Sequence, residues 1–369
     1  MAKTNQEILE QIESTSTAEY QARVSELGGL SRTGVEMMGL FDEYPTAKNE
    51  FINALTNKII KSLFYAKVFE NPLKMFHRGM LPYGSSIEHI FVEMAEKKGF
   101  KEHFNGSTNA EQDLISPSQP NVKVGYSTVN YQHKYKVSIS DQQLKHAFTS
   151  EYGLSKLIGD IIASEVSGAY YDEYTDMRNL LKHVAQGQQY GKTSTGLATP
   201  VAIATSGEVA QPLKTVVIGD AEANPKLLAK QVRALSGRLK FPSTEYNMAG
   251  VKTFSNKEDL VLITTPEMVA NLDVEVLANA FNVSKGEVSV RIVEVDELPS
   301  NFKTTLSGSA TAKTCYGILA DKDFLQAYDT VNTTKTFDNG DQLTTNMFLH
   351  KHGIYSCCYF ANAVALIKE

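Results

Sequence analysis

The chain contains no tryptophan, three cysteines in 369 residues, and no apolar run approaching the ~18 residues needed to cross a bilayer. Each shortage removes a class of protein. The cysteines (Cys315, Cys357 and Cys358) are odd in number and two are adjacent, so they form no disulfide framework and suit a reducing compartment at synthesis. The opening MAKTNQEILEQ has no apolar core segment, so no secretory signal is expected. Basic charge is in short supply too: 36 Lys and Arg against 42 Asp and Glu leave a net charge of −6. That balance argues against wrapping nucleic acid or lying on an anionic membrane. No internal repeat is visible. What remains is an ordinary folded composition, long enough for two or more domains.

Catalytic signatures are equally scarce. GQQYGKT (Gly187 to Thr193) has three residues between glycine and Gly-Lys-Thr where a phosphate loop needs four, and it follows a helix instead of a strand. It reads as a helix-exit loop. His350 and His352 share one face of a strand without a nearby third ligand, which suits a surface or interface better than a metal. Asp321 and Asp323 suit the end of a strand and the cap of a helix at Phe324 better than a cation site. Cys357 and Cys358 lie in an apolar run and read as inert buried thiols. Lys74, His77 and Arg78 form a small basic patch that suits DNA, acidic side chains or a solvated turn. No Gly-x-Ser-x-Gly elbow occurs. No catalytic residue, cofactor or metal is expected.

What is present is a long helix. In the run from Gly153 to Gln186, apolar residues recur every three or four positions: Leu154, Leu157, Ile158, Ile161, Ile162, Val166, Ala169, Tyr170, Tyr174, Met177, Leu180, Leu181 and Val184. The opposite face is assigned Lys156, Asp160, Glu165, Asp172, Glu173, Asp176, Arg178 and Lys182. Thr149 and Ser150 are candidate N-caps and Gly187 a natural stop. Such a helix is roughly 50 Å long, well above the usual three or four turns. It is long enough to act as a spine, although an ordinary long core helix would carry the same stripe.

Around it the chain is ordered as follows. Two short helical patches, Asn5 to Ile12 and Ala18 to Leu27, are too weak to stand alone and read as an arm needing a partner surface. Asn49 to Phe69 is helical in pattern. Ile87 to Met94 and the alternating NVKVGYSTVNYQHKYKVSIS make the arms of a long hairpin around a polar, Gly- and Pro-containing middle from Lys97 to Pro120. An isolated hairpin of this kind is marginal in water. After the spine come strands at Leu213 to Ile218, Leu260 to Thr265, Val288 to Val295 and Cys315 to Asp321. Helices are expected at Pro225 to Leu239, from Pro266 and over Val274 to Phe281, which makes a compact α/β unit. The residues from about Thr330 read as strands with a bend near Ala361.

Polar arm, hairpin, long helix, α/β unit and return strands, in that order, resemble the Hong Kong 97-type fold of tailed-phage capsids. Several stretches are similar to the major capsid proteins of phi29-type short-tailed phages. They are NPLKMFHRGMLPYGSSIEHIFVEM, PNVKV, DEYTDM, LDVEVLANAFNVSKGE, LADKDFLQAYD and FANAVA. The resemblance covers Asn49 to Glu369. It implies an α+β fold with an N-terminal arm over 1–48, a helix and lead-in over 49–84, and an extended E-loop hairpin over 85–140. A P-domain with the spine helix follows over 141–212, then an A-domain over 213–329 and return strands of the P-domain over 330–369.

The implied function is a head-shell subunit that assembles with itself as pentamers and hexamers into an icosahedral or prolate shell. Scaffolding protein and portal are its implied assembly partners and packaged double-stranded DNA its non-specific contact, with no membrane involved. It would be assembled in the host bacterial cytoplasm and end in the virion. Within that scheme Lys97, Lys98, Phe100, Lys101, Phe104, Leu114 and Ile115 of the E-loop are the expected inter-subunit contacts. Asp172, Glu173 and Asp176 on a neighbour's spine helix are the expected acceptors. The type member carries a further immunoglobulin-like domain beyond FANAVA, and nothing of that domain's role is carried over. A nanocompartment shell of the same fold and an α/β enzyme with a dispersed site are the alternatives: enclosed DNA excludes the first, and particle size separates a shell from the second.

Overall fold

The computed structural model describes residues 5–26, 43–44, 46–48, 50–52, 69–81, 86–95, 120–149, 153–190, 200–202, 204–205, 208–209, 211–272, 291–305 and 307–368. In chain order these residues form helices α1 (Asn5–Glu13) and α2 (Ala18–Glu26), then strands β1 (His77–Met80), β2 (Ser86–Val92), β3 (Val122–Thr128) and β4 (Tyr131–Ser140). Helices α3 (Asp141–Thr149) and α4 (Gly153–Val184) follow, then short strands β5 (Gln188–Tyr190), β6 (Pro200–Ala202), β7 (Ala204–Thr205) and β8 (Glu208–Val209). Next are β9 (Lys214–Ile218), α5 (Lys226–Arg238), β10 (Leu260–Thr264), α6 (Pro266–Asn271) and β11 (Ile292–Glu294). The last strands are β12 (Asn301–Phe302), β13 (Thr311–Ala312), β14 (Cys315–Asp321), β15 (Leu325–Asn339), β16 (Thr344–Cys357) and β17 (Ala363–Lys368). The chain divides into two compact units, with the division falling inside β4, α4, β15 and β16.

The first unit comprises Met1–Asn71, Gln132–Thr175 and Val331–His352. Here β4 lies beside β16, and β16 beside β15. Against them pack α3, α4 and the two N-terminal helices. Ile8, Leu9 and Ile12 of α1 and Tyr20 and Val24 of α2 share one core with Phe51, Ile52, Ile139, Leu144, Ile162 and Met347. Both N-terminal helices therefore find their packing surface within this chain, where the sequence suggested an arm awaiting a partner. Each fully buried aliphatic contributes roughly 1.5–3 kcal/mol, which holds helices that are too short to persist alone. Thr17 accepts the Tyr20 N–H and caps α2, while Glu50 receives the Thr17 N–H at 2.7 Å and its hydroxyl at 2.9 Å.

In this unit the spine-helix stripe buries Ile162, Ala169 and Tyr174, while Tyr170 faces outward. Of the two candidate caps, Thr149 is the last residue of α3 and Ser150 lies outside the described residues. In the second unit, Gly187 adopts φ 72° and its N–H closes on Val184 O at 2.9 Å just beyond the helix. That is the left-handed stop expected of glycine.

The second unit comprises Pro72–Tyr131, Asp176–Thr330 and Gly353–Glu369. Its centre is a five-stranded mixed sheet in the order β11-β10-β14-β17-β9. Leu228, Val232 and Leu235 of α5, with Leu239 just beyond it, share a core with Leu260, Leu262, Leu319, Val364 and Leu366 of that sheet. β17 runs antiparallel to β14 and parallel to β9. The last strand thus belongs to the α/β sheet and not to a set of return strands elsewhere, because Val364 to Ile367 are apolar on both faces and need a central position.

One further reading changes. Asp321 caps no helix at Phe324. Its carboxylate accepts the Asp323 N–H at 3.0 Å in a turn that leads directly into β15. The helix expected over 274–281 lies outside the described residues, as does most of the one expected over 49–69, where Glu50 to Ile52 are helical.

Candidate assembly surfaces

The hairpin arms pair antiparallel with Ser86 opposite Thr128, Glu88 opposite Tyr126, Ile90 opposite Val124 and Val92 opposite Val122. The second arm is shorter than the sequence suggested: pairing with β2 ends at Thr128, and Tyr131–Ser140 joins β16 instead. Asn130 makes the junction, donating its side-chain amide to Tyr355 O at 2.7 Å and accepting the Tyr355 N–H at 2.9 Å.

Alternation gives the ribbon two unlike faces. On one, Phe91 stacks on Phe360 at 5.5 Å between ring centroids and His89 meets Tyr359 at 6.3 Å. Burial holds His89 below the ordinary imidazole range, in the neutral form. Gly125 lies directly over Tyr359, and a Cβ there would fall 1.0 Å from its hydroxyl oxygen. The other face turns Ile90, Val92 and Tyr126 to solvent at 60%, 53% and 61% exposure. Tyr126 donates its hydroxyl to Glu88 at 3.0 Å, and that carboxylate raises the phenol above its usual range. A two-stranded ribbon with an uncovered apolar face is marginal alone and marks a contact surface.

Gly125→Ala tests how the ribbon is anchored. The methyl group must displace a buried tyrosine ring, at a cost of about 1–3 kcal/mol. Hydrogen exchange should quicken across β2 and β3 and remain unchanged in β10 and β14. Unchanged exchange in the ribbon would show that it is not held through Tyr359.

Of the expected contact residues, Lys97, Lys98, Phe100, Lys101, Phe104, Leu114 and Ile115 lie outside the described residues. The expected acceptors do not form one set. Asp172 and Asp176 are half-buried, whereas Glu173 is turned inward. Its carboxylate pairs with Lys351 and takes the Asn71 side-chain amide at 3.2 Å, while the Lys351 ammonium also lies 5.4 Å over the Tyr170 ring. Glu173 is therefore already engaged within its own chain.

Glu165, assigned to the polar face, is also buried. Its carboxylate accepts the Val137 N–H, Oε1 has no hydrogen-bond partner among the described residues, and burial pushes its pKa up to about 7. A stricter reading of the period would have found both carboxylates. Glu165 falls three residues after Ile162 and four before Ala169, and Glu173 lies four residues after Ala169 and four before Met177, inside the apolar stripe. No sequence signal names Lys351, which lies 178 positions from Glu173.

Arg78 pairs with Asp323, and His77 lies 3.3 Å from Asp329. Two members of the basic patch thus meet acidic side chains of their own chain. The His350 and His352 rings are 6.5 Å apart, and among the described residues no group of three or more His, Cys, Asp or Glu is placed to hold a metal ion. Burial pushes Cys315 up to about 12 and raises Cys357 and Cys358 as well, which disfavours the thiolate form of all three at neutral pH.

A hairpin with one covered and one open face, a 32-residue helix and a five-stranded α/β unit, in this chain order, define a capsid fold of the Hong Kong 97 type. The capsid structure of Staphylococcus phage Andhra contains a chain that superposes with a TM-score of 0.60 at 12% identity, covering 82% of this chain and 85% of that one. A chain in the structure of head fiber and inner core protein gp22 of native bacteriophage P68 gives 0.57, covering 83% and 86%. Sequence carries the assignment further. The chain belongs to the Phi29-like phage major capsid protein family, whose model matches residues 9–367. It is 29% identical to the major capsid protein of Bacillus phage GA-1, over 88% of this chain and 61% of that protein. It is 26% identical to the major capsid protein of Streptococcus phage Cp-1, over 97% and 93%. The chain thus spans about three-fifths of the length of the Bacillus phage GA-1 protein and nearly all of the Streptococcus phage Cp-1 protein.

Proposed function

We propose that this chain is the major capsid subunit of a tailed-phage head and works by self-association into pentamers and hexamers that close a shell around double-stranded DNA. Family membership and fold support the class of function. The observation that carries it is the open apolar face of the β2–β3 ribbon, where Ile90, Val92 and Tyr126 have no cover within the described residues. Such a function rests on buried area between copies, and a standard stable contact buries about 1,600 Å². A net charge of −6 suits a container, because a strongly basic wall would hold packaged DNA too tightly for release. Scaffolding protein and portal are the assembly partners in this reading, with assembly in the host bacterial cytoplasm before the shell becomes part of the virion.

The outer hairpin, Lys97 to Pro120, is proposed to order only on a neighbouring subunit. Backbone ordering costs ~1–2 kcal/mol per residue, and Phe100, Phe104, Leu114 and Ile115 are too few to offset that alone. Trypsin should therefore cut unassembled chain at Lys97, Lys98 or Lys101 before other sites, while assembled particles resist there. Equal protection in both states would sink the assignment of this segment to an inter-subunit loop.

A further inference from the structure

A pocket of about 190 Å³ lies between α4 and strands β15 and β16 of the first unit. Ile162, Val166 and Ala169 form its helix wall, and Met347 and Leu349 its strand wall. Tyr170 and Asn332, both exposed, form the mouth. Glu165 lines the interior at 4% exposure, with Oε1 unpartnered among the described residues.

The polar groups around that carboxylate can be accounted for element by element. From β16 comes Lys351, whose charge is already matched by Glu173 of α4. From β15 come the neutral side chains of Asn332 and Thr334, and from β4 the Val137 N–H. Because Glu173 outside the pocket already matches Lys351, an ionised Glu165 is an unmatched negative charge beside apolar walls.

We propose that this pocket is a socket for a lysine or arginine side chain of a second copy of the chain, the cationic tip pairing with Glu165 and the alkyl stem lying along the apolar walls. The inference rests on the shell-subunit reading above. A long stem ending in a charge matches a passage that is apolar along its walls and acidic within. A bare metal ion matches it poorly, since one carboxylate beside a lysine ammonium is a weak ligand set. The surface beside the mouth also has the character of a contact. Tyr170 and Tyr171 are exposed on α4, and Phe69 packs 5.7 Å from Tyr171. Exposed aromatics of this kind are enriched at the cores of protein interfaces.

Docking a cation has a proton signature. Burial, partly opposed by the Val137 hydrogen bond, pushes Glu165 up to about 7, so the carboxyl is mostly protonated below that pH. A cation seated against it pulls the carboxyl back towards the ordinary carboxylate range, so the assembled form binds fewer protons. Association should therefore tighten as pH rises towards 7 and level off above it. For one proton released per contact the gain is about tenfold per pH unit.

The test is sedimentation of the full chain between pH 5.5 and 8, with thermal melting of the same samples. Glu165→Gln keeps the shape and removes the charge. It should raise the critical concentration for assembly at pH 8 by about tenfold or more and flatten the pH profile, with a melting temperature equal to or above that of the unsubstituted chain. Asn332→Lys at the exposed mouth leaves the core untouched and supplies a cation in cis. It too should weaken assembly and flatten the profile. If the unsubstituted chain assembles and both variants match it in critical concentration and pH profile, the socket is refuted while the shell reading stands. If the unsubstituted chain forms no particles at any pH, the shell reading itself fails and the socket with it.

Discussion

Lys351→Ala should cost the folded chain about 3–5 kcal/mol, because it strands the Glu173 carboxylate where water does not reach. The two side chains are 5% and 4% exposed, and apart from Lys351 the group seen to hold Glu173 is the Asn71 amide at 3.2 Å. Against a typical total of about 5–15 kcal/mol the loss is large, and the urea midpoint should fall in proportion. The asymmetry of buried ion pairs supplies a control. Removing both charges with Lys351→Met and Glu173→Leu together leaves no orphan and should recover most of the loss. A cost below about 1 kcal/mol for the single change would mean that Glu173 is hydrated in the folded chain and that the pair does not tie α4 to β16.

Ile162→Pro should abolish soluble folding. The substitution deletes a mid-helix hydrogen bond and drives the ring into the preceding turn, at about 3 kcal/mol or more. It also disturbs a position in the core that α4 shares with α1, α2, α3 and Met347, so the loss is felt in the core of the first unit. Circular dichroism of refolded protein, or the soluble yield on expression, would register it. Asp172→Ala, half-buried on the same helix, serves as the matched control and should stay within about ±0.5 kcal/mol. A soluble, helical Ile162→Pro chain would show that α4 is not the element on which this unit is built.

Much of this architecture is legible from periodicity alone. Strand β14 is observed over Cys315–Asp321, where the sequence places it, because an apolar run bounded by Thr314 and the Asp321 turn has few other solutions. The long helix likewise follows from an unbroken stripe, and its end from Gly187. What local pattern does not carry is partnership at a distance. The N-terminal helices are weak by themselves, and nothing in their nine-residue patterns says that Phe51, Ile139 and Met347 will cover them. The destination of β17 depends on β9 and β14, which lie far away in sequence. The carboxylates of α4 illustrate the limit most clearly. Charge suggested a solvated face for Glu165 and Glu173, but their angular positions lie in the buried stripe, and the lysine that makes burial of Glu173 tolerable comes from another strand.

The central claim is that the chain acts as many copies in contact and not as a single catalytic unit. Negative-stain microscopy of the purified full chain, taken with light scattering over a concentration series, tests it most directly. Rings, tubes or closed shells of uniform curvature, appearing above a threshold concentration, are the expected result. A monodisperse monomer that persists at high concentration and shows saturable turnover of a nucleotide would contradict it.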